Sequence, residues 1–249
     1  MKLTRSIVVS FVFTSLMLMF ACSGGGGFSL SRSDQYSDMS ECLALLKKKK
    51  NDKAIKCLES YKSRNVGSPS AAVADLAIAD AYFTKKDFLV AAEAYQVFIE
   101  SYPHHESLPY AYYRAGLSYL KESPNSIDRD QNYLDNAVQY LGVVVKYYKN
   151  SSYYQMGSEA YDEARLKQAQ RHFYIGRFYF KGKEYLAAIP RFQTIVTDYP
   201  KLGLDEESFY YLITSLAKTD QKDLASQYFE VFKTHYPESK MIKRTASAL

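Results

Sequence analysis

The chain has 249 residues, a formal net charge of +5 at pH 7, and 24 tyrosines and 14 phenylalanines but no tryptophan. This length suffices for one large domain or for a repeat array. The charge is too small and too dispersed for a nucleic-acid-binding protein, which normally carries a concentrated basic stripe. The one basic run, four lysines at 47–50, is typical of a solvated helix end.

The N-terminus resembles the leader of a bacterial lipoprotein. Lys2 and Arg5 precede an uncharged apolar run over 6–21, which is short for a membrane-spanning helix and typical of a secretory signal peptide. Cys22 follows this run as the cysteine of a lipobox does, and that cysteine is acylated and becomes the first mature residue. We therefore predict a signal peptide over 1–21 and a covalent lipid on Cys22. The alternative is an ordinary signal peptide with an incidental cysteine.

The residues after Cys22 predict where the anchored protein resides. Four glycines at 24–27 supply a flexible tether, which we place at 22–33. Each buried methylene of an acyl chain contributes about 0.8 kcal/mol, so a multiply acylated cysteine holds far better than one chain. In lipoproteins of this kind an aspartate after the cysteine signals inner-membrane retention, whereas this chain has Ser23. We expect lipid anchoring at the periplasmic face of the outer membrane.

Two further cysteines, Cys42 and Cys57, lie within the first part of the predicted repeat array. An oxidising periplasm permits a disulfide between them, and burial as two free thiols is equally consistent. Their spacing does not match a zinc site, because no histidine pair stands nearby.

Three segments share one spacing, in which an alanine is followed four residues later by an aromatic residue and then by Tyr-Pro. The distance from alanine to proline is twelve in each: Ala91 to Pro103, Ala188 to Pro200, and Ala225 to Pro237. A fourth copy starts at Ala137 and has Lys149 in place of the proline, and a degenerate fifth starts at Ala54. Upstream, a small residue is followed at +3 by a tyrosine, as in Gly176 and Tyr179. This is the tetratricopeptide pattern of paired helices that cross at small residues.

The pattern predicts an all-α solenoid of five tetratricopeptide repeats over 34–240. We place the repeats at about 36–68, 71–104, 108–150, 158–201 and 205–238, with a C-terminal tail over 241–249. Repeat three contains an insertion that reads as a loop. The first helix of repeat four is extended and is predicted to begin after Gly157 and Ser158.

These residues resemble the BamD family, the tetratricopeptide lipoproteins of the outer-membrane β-barrel assembly machinery. The resemblance covers the lipobox and nearly all of the mature chain, and rests on YAYYRAGLSYL at 110–120, IDRDQ at 127–131 and FYIGRFYFKGKEYLAAIPRF at 173–192. It implies a periplasmic scaffold that binds the periplasmic domains of the barrel-forming assembly protein, which is BamA-like. It also implies contact with the other lipoproteins of the machinery and with unfolded outer-membrane proteins.

The first helices of such repeats line the inner surface, which is where a client peptide would bind. The inward register predicts this groove set: Asp80, Phe83, Tyr110, Tyr113, Arg177 and Phe180. Aromatic rings with a few charges suit an extended peptide that ends in an aromatic residue and a carboxylate, which Arg177 is expected to pair. The alternative for Phe180, as for Phe173, is that its side chain packs in the core between repeats and does not line the groove.

The inserted loop of repeat three is the predicted docking contact for the assembly protein, through Asp128, Arg129, Asp130 and Gln131. Its alternative is a solvated turn without a role.

The sequence lacks the motifs of hydrolases, zinc proteases and phosphate-binding loops, so we expect no catalytic role, no metal and no cofactor besides the lipid on Cys22. A different reading keeps the repeats but changes the client system, to a pilus pilotin or a peptidoglycan-linked adaptor. A co-purifying β-barrel protein would separate the two.

Replacing the predicted lipidation residue tests the anchor. The Cys22→Ser protein should incorporate no labelled fatty acid, because the acyl acceptor is gone, and it should lose outer-membrane fractionation. Wild-type fractionation of this variant would contradict the lipoprotein prediction.

Overall fold

The computed structural model of the protein describes residues 38–249 apart from 125, 128 and 130. The predicted signal peptide, the tether, Cys22, Asp128 and Asp130 lie outside the described residues. Eleven helices account for most of the described part of the chain. They are α1 (Met39–Lys47), α2 (Asn51–Arg64), α3 (Pro69–Lys85), α4 (Phe88–Ser101), α5 (Leu108–Glu122), α6 (Asn132–Tyr147), α7 (Tyr154–Lys181), α8 (Tyr185–Asp198), α9 (Asp205–Lys218), α10 (Lys222–His235) and α11 (Ile242–Ala246).

The first ten helices form five consecutive hairpins, and each helix packs against the next along the chain. This confirms the predicted all-α tetratricopeptide solenoid. The first helices of neighbouring repeats also contact one another, since α1 touches α3, α5 touches α7 and α7 touches α9. These additional contacts make the first helices the inner layer, as expected for such an array.

The second helices end in a repeated way that does not depend on proline. In four repeats a tyrosine caps the helix, and its backbone N–H donates to the carbonyl four residues earlier: Tyr102 to Phe98, Tyr148 to Val144, Tyr199 to Ile195 and Tyr236 to Phe232. Three of these tyrosines precede proline, whereas Tyr148 precedes Lys149. The same end therefore forms at Tyr148, where the proline of the other copies is missing.

The turns inside four of the hairpins share a left-handed residue. Lys49, Lys86, Lys183 and Asp220 have φ of 56°, 68°, 63° and 62°. The residue after each donates its N–H to the carbonyl five residues earlier, as Asp87 does to Tyr82. This is the Schellman arrangement, for which glycine is the usual residue because it has no Cβ.

Small residues allow the two helices of a hairpin to approach closely. A Cβ added to Gly116 would lie 2.5 Å from Cγ and 3.0 Å from the backbone nitrogen of Leu141, on the paired helix. A Cβ at Gly176 would lie 2.8 Å from the ring of Phe192. Leu141, Phe192 and the crossing residue Ala188 are fully buried. The small residues thus set the depth to which these large side chains pack.

Helix α7 begins at Tyr154, earlier than the predicted start after Gly157 and Ser158. Gly157 reads as a helix breaker in sequence, but it lies inside α7 and is buried. A Cβ there would approach Val144 Cγ1 to 2.8 Å. Gly157 is therefore a close-packing residue between α6 and α7, and that contact offsets its low helix propensity.

The predicted C-terminal tail contains the short helix α11, which contacts α9 and α10. Thr245 is fully buried, and the guanidinium of Arg244 lies 4.1 Å from the ring centroid of Tyr210. This part of the chain covers the exposed end of repeat five, as a capping element does in a repeat array.

Cys42 and Cys57 form a disulfide between α1 and α2, with their Cα atoms 5.4 Å apart. Both residues are buried in a cluster with Leu58, Ile78 and neighbouring side chains. Helix α1 has only nine residues, so a covalent link adds to a small packing surface.

Filling the crossing at Gly116 tests the packing of repeat three. Gly116→Ala should lower the free energy of unfolding by about 1–3 kcal/mol, because Leu141 and its backbone must move. Gly182→Ala is the matched control, since its Cβ meets only ordinary contacts from 3.5 Å outward. Denaturant unfolding compares them, and equal stabilities would contradict the crossing geometry.

Candidate functional site

The six predicted groove residues fall into two groups in the structure. Asp80, Phe83 and Tyr110 converge between repeats two and three, and Tyr113 lies beside them on α5. Arg177 and Phe180 lie at the far end of α7, around Tyr211 of repeat five. The inner face therefore carries two separate sites.

The first group is built around the carboxylate of Asp80. Its Oδ1 accepts hydrogen bonds from the hydroxyls of Tyr95, at 2.5 Å, and Tyr110, at 2.6 Å. Nε of Arg114 donates to the Tyr95 hydroxyl at 3.1 Å and lies 3.8 Å from Oδ1 of Asp80. These contacts tie α3 to α4 and α5, so the carboxylate is a structural centre of this site.

The phenols of this cluster remain protonated at neutral pH. Burial, and next the negative charge of Asp80, raise the pKa of both Tyr95 and Tyr110. A phenol that keeps its proton can donate to a carboxylate, which is the arrangement observed. The cluster therefore has a stable set of donors and one charge pair, Asp80 with Arg114.

Arg114 is central to the site, but the sequence analysis did not include it. Its guanidinium carbon lies 3.5 Å from the ring centroid of Phe83, a close cation–π contact. A periodicity signal was available: with Tyr110, Tyr113 and Leu117 it completes the i, i+3, i+4, i+7 stripe of one helix face. Inward positions assigned only from the small crossing residue of the repeat do not include Arg114.

An open hollow of about 690 Å³ lies beside Phe83 and Arg114. Its other lining residues are Thr84, Lys86, Phe88 and Lys121. Lys86 and Lys121 are exposed, and the rings of Phe83 and Phe88 lie edge to face with centroids 5.2 Å apart. We call this the first hollow. It combines an aromatic wall with three cationic side chains.

Tyr113 does not line the first hollow and instead packs toward the next repeat. Its ring stacks on that of Tyr153, with centroids 6.1 Å apart, and Tyr153 also contacts Tyr110 at 5.0 Å. Tyr153 lies just before α7, so this aromatic trio joins repeat three to repeat four.

The second group surrounds another open hollow, of about 560 Å³, lined by Ile127, Gln170, Phe173, Tyr174, Arg177, Phe178 and Lys181. Tyr174 and Phe178 are 54% and 70% exposed, so this second hollow has an accessible apolar rim. The Arg177 guanidinium lies 5.7 Å from the ring centroid of Phe173. Ile127 comes from the inserted loop of repeat three, which places that loop next to Arg177.

Phe180 and Phe173 both serve the inter-repeat core. The Phe180 ring contacts those of Tyr185 and Tyr211, at 5.4 and 4.7 Å between centroids. Phe173 contacts Phe192 and Tyr211, each at 5.9 Å. The structure thus places Phe180 in packing between α7, α8 and α9, whereas Phe173 also lines the second hollow.

Within the inserted loop, Arg129 is exposed and Gln131 is buried. The side-chain amide of Gln131 donates to the carbonyl oxygens of Pro124 and Ser126, at 3.2 and 2.9 Å. Gln131 therefore closes the loop from within, and its side chain is not presented to a partner as predicted. The sequence could not show this, because the bonds depend on how the loop folds back.

Two further properties concern the described part of the chain only. Within it, no helix is both long and apolar enough to cross a bilayer. The same residues contain no group of three or more His, Cys, Asp or Glu side chains arranged to hold a metal ion.

Comparison with known proteins identifies the family. A family model described as an outer membrane lipoprotein, YfiO, matches residues 32–223. The chain belongs to this family. It is also similar to the outer membrane protein assembly factor BamD of Rickettsia prowazekii, with 28% identity over 200 residues, 80% of this chain and 79% of the relative. BamD of Neisseria meningitidis serogroup B is 27% identical over 201 residues, 77% and 75% of the two chains.

The chain is also similar over a shorter length to BamD of Caulobacter vibrioides. The two are 26% identical over 140 residues, which are 56% of this chain and 46% of the relative. These matches confirm the BamD resemblance that the repeats and the inserted loop indicated. In this YfiO family member, the matched residues include every element of both hollows.

Removing one hydroxyl tests the Asp80 cluster. Tyr95→Phe keeps the buried ring but leaves Asp80 and Arg114 without a shared partner, so the free energy of unfolding should fall by about 1–3 kcal/mol. Tyr174→Phe, at an exposed position, is the control and should change it by less than about 0.5 kcal/mol. Chemical denaturation measures both, and an unchanged Tyr95→Phe protein would contradict the network.

Proposed function

We propose that this protein is a non-catalytic scaffold of the β-barrel assembly machinery, anchored by a lipid on Cys22 at the periplasmic face of the outer membrane. It binds the barrel-forming, BamA-like assembly protein, works beside other lipoproteins of the machinery, and receives unfolded outer-membrane proteins for insertion. The observation that carries the proposal is the similarity to BamD proteins along about four fifths of the chain. In this proposal, client binding and docking of the assembly protein use the two hollows separately.

The first hollow is the proposed site for client peptides. The Phe83 and Phe88 rings offer an apolar wall to an aromatic side chain, and Lys86 and Lys121 stand at the rim for a terminal carboxylate. Arg114 is held between Phe83 and Tyr95, so a carboxylate that enters meets a cation already in position. Asp80 and Tyr110 fix the wall, and Tyr113 joins the same helix to Tyr153 of the next repeat.

The second hollow is the proposed docking surface for the assembly protein. Exposed Tyr174 and Phe178 provide apolar contact area of the kind that folded partners cover. The inserted loop supplies Ile127 to the same hollow, and the sequence of this loop also contains the charged residues Asp128, Arg129 and Asp130. Arg177 lies within this surface, so we assign it to docking and not to the client carboxylate.

A crossed experiment separates the two surfaces. Client binding is measured with a labelled peptide ending in phenylalanine and a free carboxylate, and with its amidated form. Docking is measured by co-purification of the barrel-forming protein. Lys86→Gln with Lys121→Gln should weaken binding of the carboxylate peptide by about three- to tenfold, because each exposed pair contributes modestly, and should leave docking unchanged.

Tyr174→Ser with Phe178→Ser should do the reverse, because it removes apolar area from the docking surface. The matched controls are Lys218→Gln with Lys222→Gln, at the turn of repeat five, and Leu186→Ser, at a position that is 70% exposed outside both hollows. Loss of both activities in both variants would contradict the division. A component of another envelope system in place of the barrel protein would overturn the proposed function.

A further inference from the structure

The turn of the first hairpin carries an unusual concentration of exposed positive charge. Residues 47–50 are four consecutive exposed lysines, and exposed Lys53 follows within the first turn of α2. None of these five lies within 4.0 Å of a carboxylate in the described part of the chain. Asp52, which stands among them, is paired with Lys85 of the next hairpin at 2.8 Å. The turn therefore keeps its positive excess.

The backbone of this turn would accommodate a glycine better than a lysine. Lys49 has a left-handed φ of 56°, where a Cβ is unfavourable and glycine is the usual residue. Lys86 and Lys183 occupy the same position in repeats two and four, with φ of 68° and 63°. Repeat five has Asp220 at this position, with φ of 62°, so a lysine occupies three of the four left-handed turn positions.

The two edges of the repeat array differ in charge. Successive helices alternate in direction, so the turns within hairpins lie along one edge and the turns between hairpins along the other. The Lys85–Asp52 pair bridges the first two turns of the basic edge directly. Both edges carry acidic residues: Asp87, Glu184 and Asp220 lie on the basic edge, and Glu106, Asp205 and Glu238 lie with Lys149, Lys201 and Lys240 on the opposite edge. The excess is greatest at the first hairpin.

The first hairpin is also the part of the repeat array nearest in sequence to the proposed lipid. The chain from Cys22 to Met39 can span at most about 60 Å. Helix α1 has nine residues and adds about 14 Å before the lysine turn. A lipid on Cys22 therefore lets this turn move no farther than about 75 Å from the bilayer, so it can reach the layer of about 10 Å in which the potential of acidic lipids acts.

We propose that the first-turn lysines, residues 47–50 with Lys53, bind the acidic phospholipid headgroups of the membrane that holds the lipid on Cys22. The lipid supplies attachment, and the lysines bring the turn of the first hairpin to the bilayer surface. Several lysines beside an anionic surface bind it cooperatively and lose it as salt rises. This inference rests on the proposed anchor for its location in the cell.

Vesicle co-sedimentation of the unacylated chain 23–249 tests the lysines independently of the anchor. This form retains the compact unit Gln35–Leu249. It should bind vesicles of phosphatidylcholine with about 30% phosphatidylglycerol, should not bind phosphatidylcholine alone, and should be released as salt rises from about 50 to 500 mM. Lys47→Gln/Lys48→Gln/Lys50→Gln should reduce partitioning by at least about tenfold.

The control Lys149→Gln/Lys201→Gln/Lys240→Gln removes the same charge from the opposite edge and should reduce partitioning by less than about twofold. Circular dichroism verifies that both variants are folded. Equal losses in the two variants, or no wild-type binding to anionic vesicles, would overturn the proposal. Fatty-acid labelling of Cys22 is scored separately, so failure of the anchor is distinguishable from failure of the lysines.

Discussion

The close crossing of the two helices in the hairpins of repeats three and four is the constraint on which the other features depend. Gly116 faces Leu141 and Gly176 faces Phe192 at distances that leave no room for a Cβ. The large side chain packs directly on the partner backbone, so the two helices meet at one depth and one offset. That offset sets where each second helix ends and where the next first helix begins. The spacing of the inner layer follows from it.

Spacing between first helices then determines which side chains meet on the inner face. Asp80 of repeat two is within reach of Tyr110 and Arg114 of repeat three, and fully buried Tyr95 completes the set from the helix between them. Each polar group of the cluster has a hydrogen-bond or ion-pair partner. The cluster is therefore stable at a partly buried position, where unpaired polar groups would lower the free energy of unfolding. Because these contacts hold Arg114 against Phe83, the first hollow has a wall that exists before any ligand arrives.

The length of α7 separates the second surface from the first. This helix has 28 residues, twice as many as its partner α8, so its last turns extend beside the inserted loop of repeat three. Arg177 and Phe178 therefore share a hollow with Ile127, away from Asp80. The insertion and the long helix together form one apolar and charged surface. If either the insertion or the long helix were absent, the other would lose this contact.

The sequence by itself determined the architecture, because the tetratricopeptide pattern is local. The alanine-to-proline spacing, the small crossing residues and the insertion in repeat three predicted five hairpins and their order, and the helices follow them. It also indicated Asp80, Phe83 and Tyr110 as inner-face residues, since helical periodicity alone assigns a face. The family resemblance came from the same local segments.

Only the tertiary structure decided which of these residues act together. Asp80 and Tyr110 are 30 positions apart, and Arg114 joins them through contacts across three helices. The burial of Gln131, the early start of α7 at Tyr154 and the place of Arg177 beside Ile127 likewise depend on contacts between separate elements. Periodicity specifies the face on which a side chain lies. What it meets there depends on the distance and offset between packed helices, which no single repeat contains.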